Sequence, residues 1–190
     1  MKKVSEVPIR TTSERLVYEN KFARVFDNDV RFPGEVRGTY LKLQWRAPYS
    51  VAVLPVLEDG RYFLVRPFRY ASNSWSLEVP KGFGLQGLEP AEIAARELAE
   101  ETGLTSPSLS CVASIAVDPG IIGHKCHLFF AVGCRATGAP TPELSEVFGD
   151  PIIVSGDEAL MLVREGTIVD ALTISAILLK FCLGFNEPSY

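Results

Sequence analysis

The chain has 190 residues, which is enough for one domain with a complete hydrophobic core and short for two independent ones. Hydrophobic residues make up 47% of the chain and charged residues 22%, a composition that excludes intrinsic disorder. The 23 Asp and Glu outnumber the 19 Lys and Arg, so we predict no nucleic-acid partner and no membrane partner, since both favour a broad positive surface.

Neither end of the chain contains a predicted export or membrane segment. Residues 1–10 are polar and lack the apolar core of a signal peptide, so we expect a cytoplasmic protein. The apolar stretch 171–185 is shorter than a bilayer requires and contains Lys180, which predicts a packed helix rather than a membrane span.

Short strands are predicted at the beginning of the chain. Residues 17–19, 23–26 and 40–45 contain alternating β-branched or aromatic residues, and Asn, Asp, Pro and Gly separate them. This pattern predicts a small antiparallel sheet within an N-terminal segment, residues 1–48. Residues 49–190 form the predicted main domain.

A β-hairpin is predicted to open the main domain. Residues 50–57 and 62–65 favour strands, and the pair Asp59-Gly60 between them suits the turn because it accepts positive φ.

A helix is predicted over residues 90–102, because Pro90 suits the first helical position and Gly103 the left-handed position after the last turn. The later predicted elements are strands at 111–117 and 127–132, a helix at 157–165 closed by Gly166, and a helix at 170–183 opened by Asp170 and closed by Gly184. This order predicts a mixed α/β (α+β) sandwich with helices packed against a mixed sheet.

One face of the predicted helix 90–102 is acidic. Glu97, Glu100 and Glu101 are spaced at i, i+3 and i+4, so they share one side of the helix. The residues expected on the opposite, packed side are Ala91, Ala95 and Leu98. Clustered carboxylates repel unless a cation or an arginine compensates, and hard cations such as Mg²⁺ favour carboxylate oxygens. A solvated acidic surface is the alternative that this pattern leaves open.

The acidic helix contains the run R-E-L-A-E-E-T-G-L over residues 96–104, and Gly82 precedes it. Together they resemble the box motif of the Nudix family, G-x5-E-x7-R-E-U-x-E-E-x-G-U, in which U is aliphatic. Every specified position matches except the first Glu, which is Leu88 here and is followed by Glu89. The resemblance implies a Nudix-type α/β/α sandwich.

Segments outside the box follow a further pattern. Residues 65–70 read V-R-P-F-R-Y, residues 77–82 read L-E-V-P-K-G, residues 166–173 read G-T-I-V-D-A-L-T, and Pro119 follows the box. These segments resemble the ADP-ribose pyrophosphatases of the Nudix family. The resemblance implies metal-dependent attack of water on the diphosphate of a nucleoside diphosphate sugar, such as ADP-ribose, to give AMP and ribose 5-phosphate. It also implies a homodimer in which the N-terminal strands pair across a two-fold axis.

The resemblance also implies roles for individual residues. The ligands of Mg²⁺ or Mn²⁺ would be Glu97, Glu100 and Glu101, with the Lys81 backbone carbonyl and the Gly82 loop backbone beside them. The candidate catalytic residues are Glu100, Glu101 and a base in the loop 138–149, for which Glu143 is preferred and Glu146 is the alternative. The candidate substrate contacts are Arg66, Arg69, Glu78 and Pro119. As alternatives, an exposed loop Glu is usually a solubilising charge, and either arginine could pair with Glu78 or with solvent.

Two departures from the subfamily pattern leave the substrate open. Lys81 replaces a small residue and would lie near the substrate phosphates, and residues 121–124 read I-I-G-H instead of a more polar loop. The alternative substrates are other nucleoside diphosphate derivatives, such as a dinucleoside polyphosphate or a coenzyme derivative. The alternative from another class is a non-catalytic Nudix domain that senses a nucleotide, but the intact R-E-U-x-E-E core favours an enzyme.

Overall fold

The computed structural model of the protein describes residues 8–183. The chain forms two compact units. One runs to Pro48 and includes Asp118–His124, and the other comprises Tyr49–Val117 and the chain from Lys125 onward. The segment Asp118–His124, which lies within residues 49–190 in sequence, therefore groups with the N-terminal strands.

The N-terminal unit contains the small antiparallel sheet that the sequence predicts. Its strands are β1 (Arg10–Ser13), β2 (Leu16–Glu19), β3 (Ala23–Phe32) and β4 (Val36–Trp45). Strand β4 pairs along the full length of β3, and β1 and β2 pair with different parts of β3. The sequence predicts that this strand ends at residue 26, but β3 continues to Phe32. Polar residues are accommodated in this extension: the side chain of buried Asn28 accepts a hydrogen bond from the Arg15 N–H at 3.1 Å.

The second unit is built on a mixed sheet. Its strands are β5 (Ser50–Leu57), β6 (Tyr62–Arg69), β7 (Ser74–Trp75), β8 (Lys81–Phe83), β9 (Leu104–Thr105), β10 (Ser108–Ala116), β11 (Lys125–Ala136) and β12 (Phe148–Val154). The main strands follow the order β10-β11-β5-β6-β12, in which β11 and β5 are parallel and the other neighbours antiparallel. The short strands β7, β8 and β9 pair with β6, β5 and β11.

Helices cover both faces of this sheet. They are α1 (Pro90–Thr102), α2 (Gly156–Arg164) and α3 (Ala171–Cys182). Successive side chains of a strand point to opposite faces. Accordingly, Val51 and Val53 of β5 pack in one core with α1, whereas Ala52 and Leu54 pack in the other core with α2 and α3. This arrangement confirms the predicted α/β/α sandwich.

Helix α1 begins and ends where the sequence predicts, and Leu98 is buried as predicted, but the rest of its buried face differs from the prediction. Its buried residues are Ile93, Ala94, Glu97, Leu98, Glu101 and Thr102. Ala91 and Ala95 are exposed, so the prediction that they pack against the sheet is wrong. The physical reason is that Glu97 and Glu101 have partners on β8, so two of the carboxylates lie on the packed side of the helix instead of in solvent.

The predicted hairpin between β5 and β6 is confirmed, with Gly60 at φ 83° in its turn. Strand β12 was missed because Gly149, Asp150 and Pro151 interrupt its apolar pattern, and the pairing with β6 has a register shift there. Asp170 caps α3 as predicted, whereas Gly184 lies outside the described residues. None of the helices in the described part of the chain has the length and apolar character of a membrane span.

Candidate active site

Strand β8 approaches helix α1 so closely at Gly82 that no side chain fits between them. A Cβ atom at this position would lie 2.1 Å from Cδ of Glu97 and within 2.4 Å of both carboxylate oxygens. Pairing of Gly82 with Val51 of β5 holds the strand in this position. A side chain at position 82 would therefore displace the Glu97 carboxylate from its place beside β8.

Glu101 lies one helical turn after Glu97 and is also buried. Its Oε1 accepts a hydrogen bond from the backbone N–H of Lys81 at 3.3 Å. Burial, and to a lesser extent the negative charges of Glu146 and Glu97, raise the pKa of Glu101 to about 8. The hydrogen bond from the Lys81 N–H lowers this pKa but does not offset the effect of burial. Burial of Glu101 near other carboxylates thus outweighs the opposing effects of the Lys81 N–H and the Arg69 charge.

Arg96 compensates part of the negative charge. Its Nη2 lies 3.0 Å from Oε1 of Glu97, and its Nε lies 3.6 Å from Oε2 of the half-exposed Glu100. Burial raises the pKa of Glu97, and Arg96 offsets part of this shift. All three predicted carboxylates therefore lie within one local cluster around Arg96 and β8.

The chemistry of these residues fits a divalent cation. Buried carboxylate oxygens are ligands that hard cations prefer, and a cation would remove the free-energy cost of two buried like charges. Among residues 8–183, no group of three or more His, Cys, Asp or Glu side chains is already arranged to hold a metal ion.

The loop after β11 brings a fourth carboxylate towards the cluster. Glu146 lies close enough for its charge to raise the pKa of both Glu97 and Glu101, whereas the charge of Glu143 acts on Arg96. The backbone N–H of Glu143 donates to Oε2 of Glu146 at 3.1 Å, which fixes the turn between them. Of the two residues predicted as the base, Glu146 is therefore the one whose charge acts on both Glu97 and Glu101, although the Glu146 carboxylate itself contacts the Glu143 backbone.

The predicted substrate-binding residues do not all come together. Arg69 Nε donates to both carboxylate oxygens of buried Glu78, at 3.0 and 3.2 Å, which is the ion-pair alternative considered from the sequence. Arg66 is exposed and lies over the ring of Trp75, 5.7 Å from its centroid. Pro119 is exposed and belongs to the N-terminal unit.

The charge of Lys81 lies between two carboxylates within the protein. Its Nζ lies 2.7 Å from Oε2 of Glu78 and 2.7 Å from Oδ1 of Asp170, and its side chain is 17% exposed. These two carboxylates occupy the Lys81 ammonium, and the expectation that this lysine lies near substrate phosphates stays a prediction. Sequence reasoning treated Asp170 only as a helix cap, although the unusual Lys81 was the signal that an acidic partner should be sought.

The box position occupied by Leu88 lies on the surface. Leu88 is 40% exposed, and its backbone carbonyl accepts a hydrogen bond from the Tyr49 hydroxyl. Glu89 is the N-cap of α1 and forms a reciprocal capping box with Glu92. A carboxylate therefore does stand at the N-terminus of the helix, one residue after the box position.

A cavity of about 290 Å³ opens between the end of β6 and the segment that leads into β12. It is lined by residues 67–70 and 145–148, and so it includes both Arg69 and Glu146. Its lining does not include the three carboxylates of α1.

A family model of the NUDIX domain matches residues 46–167, which is more than half of the chain. The chain belongs to the Nudix family. The matched region includes Gly82 and the three box carboxylates, and the chain is a Nudix pyrophosphohydrolase. Nudix hydrolases generally use divalent metal ions, in agreement with the chemistry of the cluster.

Similar proteins cover most of this Nudix chain. The ADP-ribose pyrophosphatase of Bacillus subtilis (strain 168) is 29% identical over 88% of this chain and 90% of its own. The CMP-5'-(N-acetyl-N-hydroxy-3-aminopropyl)phosphonate hydrolase of Streptomyces rubellomurinus is 30% identical over 90% of this chain and 81% of its own. A crystal structure of an ADP compounds hydrolase has the same fold, with a TM-score of 0.82, 20% identity and coverage of 95% of this chain and 96% of that one.

Proposed function

We propose that the chain hydrolyses the diphosphate linkage of a nucleoside diphosphate sugar, with ADP-ribose as substrate and AMP and ribose 5-phosphate as products. The observation that carries this proposal is the burial of Glu97 and Glu101 side by side against the Gly82 backbone. Such a pair costs free energy in a protein that does not use it, because burial disfavours the charged form of each carboxylate.

The carboxylates of Glu97, Glu100 and Glu101 would hold Mg²⁺ or Mn²⁺, together with the Lys81 carbonyl and the Gly82 backbone. When bound by these residues, such a cation would neutralise charge on the diphosphate and would lower the pKa of a water molecule, which would make the water a better nucleophile. Arg96 keeps Glu97 and Glu100 close together before the cation binds.

Glu146 is the proposed general base. It accepts a proton from the attacking water as the new P–O bond forms, the bridging P–O bond breaks, and the departing phosphate carries the electron pair of that bond. Its charge already acts on both Glu97 and Glu101, which supports Glu146 over Glu143. Glu143 would then hold the turn of the loop through its backbone contacts with Glu146.

The cavity lined by residues 67–70 and 145–148 is the proposed site for one end of the substrate. Arg69 and Glu146 both line it, so a hydroxylated sugar or phosphate in this cavity would lie next to the base. Arg66 over Trp75 offers a cation and an aromatic surface to the other parts of the substrate, and Glu78 orients Arg69. Pro119 stays a candidate substrate contact because of the resemblance of the sequence to ADP-ribose pyrophosphatases.

A second candidate substrate is a CMP-linked phosphonate. It is favoured by the Streptomyces rubellomurinus relative, whose name describes hydrolysis of such a compound and which is 30% identical over most of the chain. The reaction at phosphorus would be the same, so the two candidates differ only in the groups on either side of the scissile bond.

Hydrolysis of a substrate panel tests this function. ADP-ribose, other nucleoside diphosphate sugars, a dinucleoside polyphosphate, a coenzyme derivative and CMP-linked compounds are incubated with the full chain and Mg²⁺ or Mn²⁺, and the products are separated by anion-exchange chromatography. We expect AMP and ribose 5-phosphate from ADP-ribose, and no product in matched samples with a chelator. The proposal is wrong if no compound on the panel is cleaved above the chelated control.

A further inference from the structure

A buried network of charges lies behind the acidic cluster. Lys81 Nζ contacts Glu78 and Asp170, each at 2.7 Å, and Arg69 completes the network by pairing with Glu78. Two positive and two negative side chains therefore balance one another. Glu78 is buried, and the side chains of Lys81 and Asp170 are less than one fifth exposed, so solvent screens these contacts only weakly.

The network continues into the start of helix α3. Asp170 is the N-cap of this helix, and its Oδ2 accepts hydrogen bonds from the backbone N–H and the hydroxyl of Thr173, at 2.8 and 2.6 Å. The buried Thr173 hydroxyl oxygen in turn accepts a hydrogen bond from the backbone N–H of Val79 at 3.0 Å. The segment from Glu78 to Lys81 is therefore attached to α3 at two points, through Val79 and through the Lys81 side chain.

The backbone of the same segment contacts the acidic helix. The Lys81 N–H donates to Glu101, and the next residue, Gly82, packs against the carboxylate of Glu97. Lys81 thus joins two elements: its side chain binds the cap of α3, and its backbone binds a carboxylate of α1. A shift of this residue would move the β8 backbone relative to both buried carboxylates.

We propose that Lys81 is a positioning residue, and that its clamp between Glu78 and Asp170 holds the β8 backbone where Glu97 and Glu101 can bind a divalent cation. This inference rests on the proposed function, since it concerns the cation site used there. The Lys81 ammonium is already bound by two carboxylates, so its effect on the reaction passes through the β8 backbone and not through contact with phosphate.

Titration of the full chain with Mn²⁺ in a calorimeter tests this proposal without measuring catalysis. Lys81→Met keeps the length of the side chain and removes its charge. Asp170→Ser keeps an N-cap for α3, because Ser caps helices well, but loses the partner of Lys81. We expect each variant to bind Mn²⁺ about 10- to 100-fold more weakly than the wild type, the range found when a residue that orients a metal ligand is lost.

Two further variants test whether Lys81 and Asp170 act through the same contact. Lys81→Met together with Asp170→Ser should bind Mn²⁺ no more weakly than the weaker single variant, because both changes remove the same contact. Lys81→Arg keeps a positive charge between the two carboxylates and should restore a dissociation constant close to that of the wild type. Additive losses in the combined variant would contradict a shared contact and overturn the proposal.

Ser155→Ala is the matched control, because Ser155 caps α2 as Asp170 caps α3. It should lower the midpoint of thermal unfolding and leave Mn²⁺ affinity unchanged. The role of Lys81 would be overturned if Ser155→Ala weakened Mn²⁺ binding as much as Lys81→Met does. It would also be overturned if Lys81→Met bound Mn²⁺ with the dissociation constant of the wild type. Neither result would contradict the proposed function. Absence of Mn²⁺ binding to the wild type would overturn the proposed function, and this inference with it.

Discussion

At Gly82 the backbone contacts the carboxylate of the buried Glu97 side chain. A substitution at this residue therefore tests whether the position of Glu97 matters. In Gly82→Ala the added methyl group would occupy the space of the Glu97 carboxylate. A side-chain end can move, so we expect a folded protein that loses no more than about 1–3 kcal/mol of unfolding free energy. The displaced carboxylate should lower the turnover number at least tenfold, on the order of a perturbed metal site.

Gly138→Ala is the control for this prediction, because an added Cβ there meets nothing within 4 Å. Steady-state kinetics and thermal unfolding of both variants provide the comparison. Wild-type turnover in Gly82→Ala would mean that the position of Glu97 does not matter for the reaction.

Leu88 is the position at which this chain departs from the box. Its surface exposure means that Leu88→Glu should change the unfolding free energy by no more than about 0.5 kcal/mol. If a carboxylate at this position supports the metal loop, the variant should need less Mg²⁺ or Mn²⁺ for half-maximal activity. Metal-dependence curves measure this shift.

Leu85→Glu adds the same charge to the same exposed loop and should leave the metal dependence unchanged. An equal shift in both variants would reflect general electrostatic attraction of the cation. No shift in Leu88→Glu would indicate that the chain does not need a carboxylate at position 88. Glu89, which is the N-cap of α1, would then be the carboxylate that acts at this end of the helix.

Helix α1 provides the clearest prediction at the scale of an element. Ala94 is fully buried among residues of β5 and β11, whereas Ala95 is exposed. Ala94→Leu should cost about 1–3 kcal/mol of unfolding free energy through overpacking. Ala95→Leu, the matched control, should stay within about 0.5 kcal/mol of the wild type. Chemical denaturation measures both, and the opposite ranking would contradict the assignment of the buried face.

Helix boundaries were predictable because they depend on local chemistry. Pro90 and Gly103 mark the ends of α1, and Asp170 marks the start of α3, through contacts within a few residues of each. The orientation of α1 was not predictable in the same way. Apolar periodicity alone puts carboxylates in solvent, and the partners that keep Glu97 and Glu101 inside come from β8, far away in sequence.

The same limit applies to the candidate site. The box motif identified the acidic cluster, since spacing along one helix determines which carboxylates share a face. The pairing of Lys81 with Asp170 spans 89 residues and depends on how α3 packs, so no local pattern predicts it. Strand β12 was not predicted for a different reason. Gly149 and Pro151 interrupt its apolar pattern at the point where its pairing with β6 is irregular.

At the scale of the whole molecule, the N-terminal unit predicts self-association. Its exposed apolar side chains are Leu16, Val17, Tyr18, Phe22, Val36, Tyr40 and Leu41. Few apolar residues are buried within the described part of this unit, so a partner surface would stabilise it. We expect a homodimer formed through the N-terminal strands, with the mass of two chains in light scattering at micromolar concentration.

Val17→Glu should shift this dimer towards the monomer, because it places a charge on the exposed apolar surface of β2. Val169→Glu adds the same charge to an exposed valine of the second unit and should remain dimeric. A monomeric mass for the wild type would contradict the prediction directly.

If Glu97 and Glu101 hold the cation that hydrolysis requires, removing the charge of either residue must slow the release of AMP from ADP-ribose. We would measure this rate at saturating Mn²⁺. Glu97→Gln and Glu101→Gln keep the shape of each side chain and remove its charge. We predict that each variant is slower than the wild type by about 10- to 100-fold or more. Glu165→Gln, an exposed residue at the end of α2, should retain the wild-type rate. A wild-type rate in Glu97→Gln or Glu101→Gln would contradict the account.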